Sequence, residues 1–284
     1  MKKFFVITNE SRDPRCEKAA SITQYLRSKG GDCDFLSIER DSAPDGEKIR
    51  RIREIPSDTD AVIVLGGDGT FIQSAGILAP KKIPMLGVNT GHLGYLAEVD
   101  KENITPALDK LLNDAHTVEE RMMLSGTPVI NGDDMGGHYA FNDIVLKATG
   151  SSVAYFCIEV NGTHLTTISG DGIIVATPTG STAYNMSAGG PIVEPGSSTV
   201  VITPICPLEV VSRSVVLSAS DTVVIKLIQP PGRRPRGADV FFDGSEDFSL
   251  SVDDKIIIEK AKACVRLIKL SKESFLEVLS RKMQ

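Results

Sequence analysis

Residues 61–71 read Ala-Val-Ile-Val-Leu-Gly-Gly-Asp-Gly-Thr-Phe. The unbroken apolar run Ala61 to Leu65 suits a strand covered on both faces, as in a parallel sheet. Glycines interrupt it, and Thr70 to Leu78 then opens a helix. The same alternation extends outward. Phe4-Phe5-Val6-Ile7 reads as a buried strand, and Glu17 to Lys29 as a helix with apolar or small residues at Ala20, Ile22, Tyr25 and Leu26, stopped by Gly30-Gly31. Asp34 to Ile38 is a second strand. A polar segment containing Pro44-Asp45-Gly46 connects it to Ala61, and beyond the glycines come a short strand, Ile83 to Val88, and a helix, Pro106 to Leu112. Strands alternating with helices predict an open, parallel, Rossmann-like sheet.

Near residue 123 the pattern changes from mixed to strand-rich. Val153 to Val160, the turn dipeptide Asn161-Gly162 and His164 to Ile168 form a hairpin signal. Further strands are read at Val200-Val201-Ile202, Val215-Val216-Leu217, Val223 to Ile228, Val240-Phe241-Phe242 and Ile256-Ile257-Ile258. A β-sandwich-like second domain is expected, with the basic stretch Pro230 to Arg236 (PPGRRPR) as an exposed loop. Ser271 to Lys282 reads as a final helix, capped by Ser271 and returning toward the first domain. The expected organisation is an α/β domain over 1–122, a β-rich dinucleotide-binding domain over 123–270, and a C-terminal helix over 271–284.

The 284 residues are 41% hydrophobic, enough for two cores, and the formal net charge is -6. No broad basic surface is available for nucleic acid, so a polyanionic ligand has to be held locally. Five cysteines stand singly, without a CxxC pair or a neighbouring histidine at ligand spacing, which fits reduced thiols in the cytoplasm. The four-residue apolar run at Phe4 to Ile7 is too short for a signal-peptide core, and no segment approaches the ~18 apolar residues of a membrane span.

Two stretches carry chemistry. In the first, Gly66-Gly67-Asp68-Gly69-Thr70 lies at the carboxyl end of a parallel strand and the start of a helix. Backbone N–H groups there can approach phosphate closely. Neither GxxxxGK[ST] nor GxGxxG is present at this loop. Asp68 is the candidate proton acceptor for an attacking hydroxyl, since a phosphoryl transferase needs positioning and one carboxylate more than covalent chemistry. The plain alternative is an Asp-Gly turn. In the second, Gly170 to Pro191, a strand runs into a loop of small and hydroxyl-bearing residues. Thr182, Tyr184, Asn185 and Ser187 offer hydrogen bonds there, and Ala183, Ala188 and Gly189 close approach to a flat ring. A flexible connector is the alternative for that loop.

Taken together, GGDGT at Gly66 to Thr70, NTGHLGYL at Asn89 to Leu96, ERMML at Glu120 to Leu124, Asn142-Asp143 and the block ATPTGSTAYNMSAGGP at Ala176 to Pro191 resemble the NAD kinase family across nearly the whole chain. Lipid and sugar-phosphate kinases share loops like GGDGT, whereas the last block is specific. The resemblance implies phosphorylation of the 2'-hydroxyl of the adenosine ribose of NAD, giving NADP, with ATP or polyphosphate as donor and Mg²⁺ or another divalent metal carried on the donor phosphates. It implies Asp68 as general base and Gly66, Gly67, Gly69 and Thr70 as phosphate loop. NAD contacts are implied at Asp68, Gly69, Asn142, Asp143 and Asp171, and over Thr182, Ala183, Tyr184, Asn185, Met186 and Ser187. A homodimer or homotetramer is implied as well.

Several positions depart from that pattern. Asp143 stands where the family usually shows Glu, and Ser169 where relatives carry Arg. Asp243-Gly244-Ser245 resembles a DGQ-like turn without its amide, and Pro207-Leu208-Glu209-Val210 replaces a more polar, His-containing segment. The alternatives are a kinase of another hydroxylated substrate sharing GGDGT, such as a lipid, and a non-catalytic NAD or NADP sensor. His92, His116, His138 and His164 lack a paired nucleophile, so no hydrolytic triad is expected.

Overall fold

The structure, a computed structural model, describes residues 1–38, 45–90, 94–150, 153–209 and 213–282. Two compact bodies are present: residues 1–121 with 263–284, and residues 122–262.

In the first body, β1 (Lys3–Asn9), α1 (Glu17–Ser28), β2 (Asp32–Ile38), α2 (Asp45–Arg53), β3 (Ala61–Gly66), α3 (Asp68–Leu78), β4 (Met85–Asn89), β5 (Val99–Asp100) and α4 (Ile104–Leu112) follow in order. The strands pair in parallel as β2-β1-β3-β4. β3 is buried along its whole length, as its uninterrupted apolar run demands. Val6, Ile63, Leu65 and Leu86 of the sheet pack with Ala19, Ile22 and Leu26 of α1 and with Leu108 and Leu111 of α4. The inward face of α1 is therefore Ala19, Ile22, Thr23 and Leu26; Ala20, expected there, points to solvent because it is one position off the buried stripe. α2 occupies part of the segment read as a polar connection. Its sequence, DGEKIRRIR, carries only two apolar residues, and Ile52 alone is fully buried, too weak a stripe to announce a helix. Pro44 of that segment lies outside the described residues, as does the Gly91-His92-Leu93 part of NTGHLGYL.

The second body begins in β6 (Thr117–Ile130), continues through β7 (Asp133–Asp134) and β8 (His138–Ala140), and then builds β9 (Asp143–Ala148), β10 (Ala154–Val160), β11 (Thr163–Gly170) and β12 (Gly172–Ala176). After the short helix α5 (Tyr184–Ser187) come β13 (Thr199–Ile205), β14 (Val215–Ser218), β15 (Val223–Ile228), β16 (Ala238–Phe242), β17 (Ser245–Leu250) and the long β18 (Lys255–Lys269). One antiparallel sheet runs β14-β13-β12-β9-β16-β17, and β11-β10-β15 pairs onto the first residues of β18. Ile144, Leu146, Ile173 and Val175 from the former meet Phe156, Ile158, Ile225, Leu227 and Ile256 from the latter in one core. The sheets thus form a β-sandwich-like body. The β10–β11 turn uses Asn161 at φ 51° and Gly162 at φ 77°, the left-handed pair that a tight hairpin requires. Residues on the opposite face of the six-stranded sheet, Val145, Ile174, Ala176 and Val201, are covered by Ala188 and Val193, so the small-residue block folds back over the strand it follows.

The chain ends in α6 (Phe275–Lys282), four residues shorter than expected. Its cap is Ser274, whose N–H and hydroxyl meet Glu277 Oε2 at 2.6 and 2.8 Å while the Glu277 N–H donates back to Ser274 Oγ at 3.3 Å, a capping box. Ser271 is not the cap because Glu98 takes both its N–H and its hydroxyl, each at 2.7 Å. Glu98 also accepts from the Leu270 N–H and pairs with Lys269, and its side chain is 5% exposed.

Burial pushes the Glu98 carboxyl up, but the bonds from Lys269 and Ser271 outweigh it and hold it below the usual carboxylate range. Its stabilising contribution is complete above the unfolded value of roughly 4.3 and fades as pH falls through the lower folded value. Glu98→Ala, which leaves Lys269 without its carboxylate, is expected to cost roughly 3 kcal/mol at pH 7. Urea denaturation checks this, and a midpoint equal to that of the unsubstituted protein contradicts it.

Candidate functional site

In the first body the strand order reverses between β1 and β3, and ligands of open α/β sheets bind beyond the carboxyl ends at such a switch point. Asn9 closes β1 there, and its Nδ2 donates to Thr70 Oγ1 at 3.2 Å across the switch. The glycine loop turns β3 directly into α3, with Gly67 extended before the first helical residue, Asp68. A side chain at Gly66 would run into Thr70, whereas one at Gly67 or Gly69 would meet nothing. Those two exposed glycines answer no packing demand within the protein. They leave the first-turn N–H groups of α3 open to an anion.

Asp68 is half-buried, and its carboxylate is already engaged: Oδ2 accepts the Tyr95 N–H at 2.8 Å and Oδ1 the Leu96 N–H at 3.3 Å. A Cβ on Gly94 would overlap that carboxylate, so glycine there is a condition of the contact. Gly94, Tyr95 and Leu96 thus act as a seat for Asp68.

In the second body, β9 and its neighbours bring three segments to one end of the sheet. Ala176, the last residue of β12, lies opposite Asp143, the first of β9, and Phe242 of β16 lies opposite Ile144. Beyond β16, Asp243 and Gly244 adopt left-handed φ of 51° and 86°, a tight hairpin turn into β17. This aims the Asp243 carboxylate at three consecutive backbone N–H groups, those of Phe141 and Asn142 at 2.7 Å each and of Asp143 at 3.2 Å. The small-residue block is stitched to the same place. The Thr177 N–H donates to the Asn142 carbonyl at 2.8 Å, its hydroxyl to the Phe141 carbonyl at 2.7 Å, and the Gly180 N–H to Thr177 Oγ1 at 3.0 Å. A side chain at Gly180 would strike the Asn142 backbone.

Asn185 is fully buried. Its Nδ2 bonds the Ser181 and Pro191 carbonyls, both at 3.0 Å, and its Oδ1 accepts the Thr203 hydroxyl at 2.6 Å. Both amide hydrogens are committed, so the side chain fixes the shape of the loop. The Thr182 hydroxyl is also turned inward, to the Thr179 carbonyl at 3.3 Å. Tyr184, Met186 and Ser187 are exposed, and the Tyr184 ring lies 4.9 Å from Lys147 Nζ, which also sits 5.6 Å from the Phe241 ring. One face of the loop is structural and the other free to meet a planar ligand.

A model of the ATP-NAD kinase N-terminal domain matches residues 13–116, and one of the ATP-NAD kinase C-terminal domain matches residues 141–270. The chain is 37% identical over 294 residues to an NAD kinase of Lachnospira eligens, covering all of both chains. The chain belongs to the ATP-NAD kinase family. It is also 38% identical to an NAD kinase of Lachnoclostridium phytofermentans over 99% of each chain. Among solved structures, an Archaeoglobus fulgidus NAD kinase in complex with ATP superposes with a TM-score of 0.75 at 25% identity, over 95% of this chain and 94% of that one. A yeast NADH kinase complexed with NADH shares the fold, with a TM-score of 0.83 at 21% identity over 99% and 87%.

Of the residues that the resemblance to the ATP-NAD kinase family singled out, the first body holds Gly66, Gly67, Asp68, Gly69 and Thr70. The second gathers Asn142 and Asp143 with the start of the Thr177–Ser187 block. Asp171 is apart from Asp143: the two positions lie at opposite ends of β12, ~17 Å by the rise of a strand. At Ser169, where the resemblance leads one to expect Arg, the N–H and hydroxyl both donate to Glu209 Oε1, at 2.9 and 2.7 Å. Val210, from the same substituted segment, lies outside the described residues. Sequence reading missed the engagement of Asp243, noticed only as a turn, and that of Asn9 and the Tyr95 and Leu96 amides.

Burial, reinforced by the Asp243 charge, pushes the Asp143 carboxyl up to about 7 against the pull of Lys147. Asp243 is pushed up to about 6 by burial, against its three amides. Folding therefore favours the protonated Asp143, and stability drains away as pH rises from the unfolded value of roughly 3.9 toward 7. Asp143→Asn removes that dependence. Its melting temperature should gain on the unsubstituted protein as pH is raised from 4 to 7, by roughly 2–4 °C for each kcal/mol released. A gap constant with pH, followed by thermal denaturation, refutes the raised value.

Proposed function

We propose that the protein transfers the terminal phosphoryl group of ATP to the adenosine 2'-hydroxyl of NAD, releasing ADP and NADP. The observation that carries this reading is the held Asp68 carboxylate at the first residue of α3, beside two glycines with open space before them. Asp68 takes the 2'-hydroxyl proton as that oxygen attacks the terminal phosphorus and the bond to ADP breaks. The first-turn amides of α3 face the donor phosphates. Asn142, Asp143, Ala183, Tyr184, Met186 and Ser187 contact NAD, while Thr182 and Asn185 keep the loop in shape from within.

Among the described residues no group of three or more His, Cys, Asp or Glu side chains is placed to hold a metal ion. On the resemblance to the family, Mg²⁺ or another divalent metal would arrive on the donor phosphates, where it offsets their charge. We place the protein in the cytoplasm as a homodimer or homotetramer, on the family's habit and on five free, unpaired cysteines.

The test is direct: purified protein with NAD or NADH, Mg²⁺ and either ATP or polyphosphate, assayed for NADP or NADPH. Tight NADP binding without product under every combination would mean a sensor instead. Asp68→Asn should lower kcat roughly 10²–10⁴-fold while NAD affinity holds within a few-fold. Equal turnover removes Asp68 from the mechanism. Gly94→Ala, whose methyl displaces the carboxylate without touching a core, should cost roughly 10²-fold in kcat at unchanged far-UV dichroism. A fully active variant would show that the seat is dispensable.

A further inference from the structure

The C-terminal helix is fastened to the same short segment that holds Asp68. Its root is tied by Glu98, which gathers Lys269, Leu270 and Ser271 and lies two residues beyond Leu96. Its body is braced by the Ser274–Glu277 box and by Arg281, which donates to both oxygens of Glu273 at 2.7 and 3.3 Å. Between helix and segment lies a cavity of about 100 Å³, lined by Gly94, Tyr95, Glu98, Val278 and Arg281 among others. Arg281 being committed to Glu273, the last cation of the helix, Lys282, reaches the segment itself: Nζ rests 3.4 Å from the centroid of the Tyr95 ring. The Tyr95 N–H is the shorter of the two bonds to Asp68. Ring and amide of one residue thus join a cation from the chain end to the candidate base.

We propose that Lys282 is a positioning residue for phosphoryl transfer, its ammonium clamping Tyr95 so that the Tyr95 and Leu96 amides hold the Asp68 carboxylate in its reacting orientation. The charged groups that act on Lys282 agree with this arrangement: partial burial lowers its pKa, Asp68 raises it and Arg281 lowers it. Asp68 is thus close enough to feel the ammonium as well as the amides. The inference rests on Asp68 being the base, yet its structural half is separable from that reading.

The experiment uses the full chain with Lys282→Met and Lys282→Arg. Amide hydrogen exchange at Tyr95 and Leu96 reads the clamp without turnover. Lys282→Met should speed it several-fold, and Lys282→Arg, which keeps a cation on the ring, should restore slow exchange. In the NADP assay, Lys282→Met should lower kcat roughly tenfold with KM for NAD nearly constant. Unchanged exchange together with an unchanged kcat overturns the proposal, as does a loss that Arg fails to rescue. If the unsubstituted protein forms no NADP while Lys282→Met still speeds exchange, the kinase reading falls and the clamp stands.

Discussion

The carboxylate of Asp68 rests on two adjacent backbone amides, and much of the first body is arranged around that contact. Gly94 is side-chain-free because the carboxylate fills the space, and Tyr95 and Leu96 present their N–H groups from a stretch anchored two residues later by Glu98. Glu98 in turn holds the end of β18 and the Leu270-Ser271 segment that leads toward the last helix. A carboxylate on a long solvated side chain would sample many rotamers. One seated on amides presents a single orientation.

The second body uses the same device for a different end. Asp243 also receives consecutive backbone N–H groups, three of them, but it is enclosed and turned inward against Asp143. Its amides counter burial without overcoming it, so both carboxyls are held above their ordinary range. The shared motif is a concavity of amides that binds an anion. Exposure decides the rest. Half-buried, the Asp68 carboxylate is free to serve the proposed transfer; drawn inward, that of Asp243 pins the strand ends that carry Asn142 and Asp143.

Much of this was legible in the sequence, for reasons that differ by region. β3 announced itself because a strand buried on both faces is apolar throughout, and the hairpin at Asn161-Gly162 because few residues tolerate its φ values. α2 was invisible because its one fully buried residue, Ile52, makes no stripe, and the last helix was begun too early because Ser271 has the chemistry of a cap but is spent on Glu98. GGDGT and the ATPTGSTAYNMSAGGP block could be located by composition and resemblance. Which of their side chains face outward could not. Asn185 and Thr182 look in sequence like ligand contacts, and only the positions of Ser181, Pro191, Thr203 and Thr179 show which internal bonds their polar atoms make.

The glycines sharpen the point, since one residue type answers two opposite demands. At Gly94 and Gly180 a methyl group would collide with Asp68 or with the Asn142 backbone, so their absence of a side chain is explained within the protein. At Gly67 and Gly69 a methyl group would meet only solvent, and neither adopts a left-handed φ that would require glycine. Gly67 is the N-cap, where glycine is favoured over alanine, but at Gly69, inside the first turn, glycine is mildly destabilising relative to alanine. Gly69, next to a seated carboxylate, therefore calls for a reason outside the folded chain. The proposed phosphoryl transfer supplies one, since close approach of a donor phosphate to the Gly69 amide would join this loop and Asp68 in a single chemical purpose.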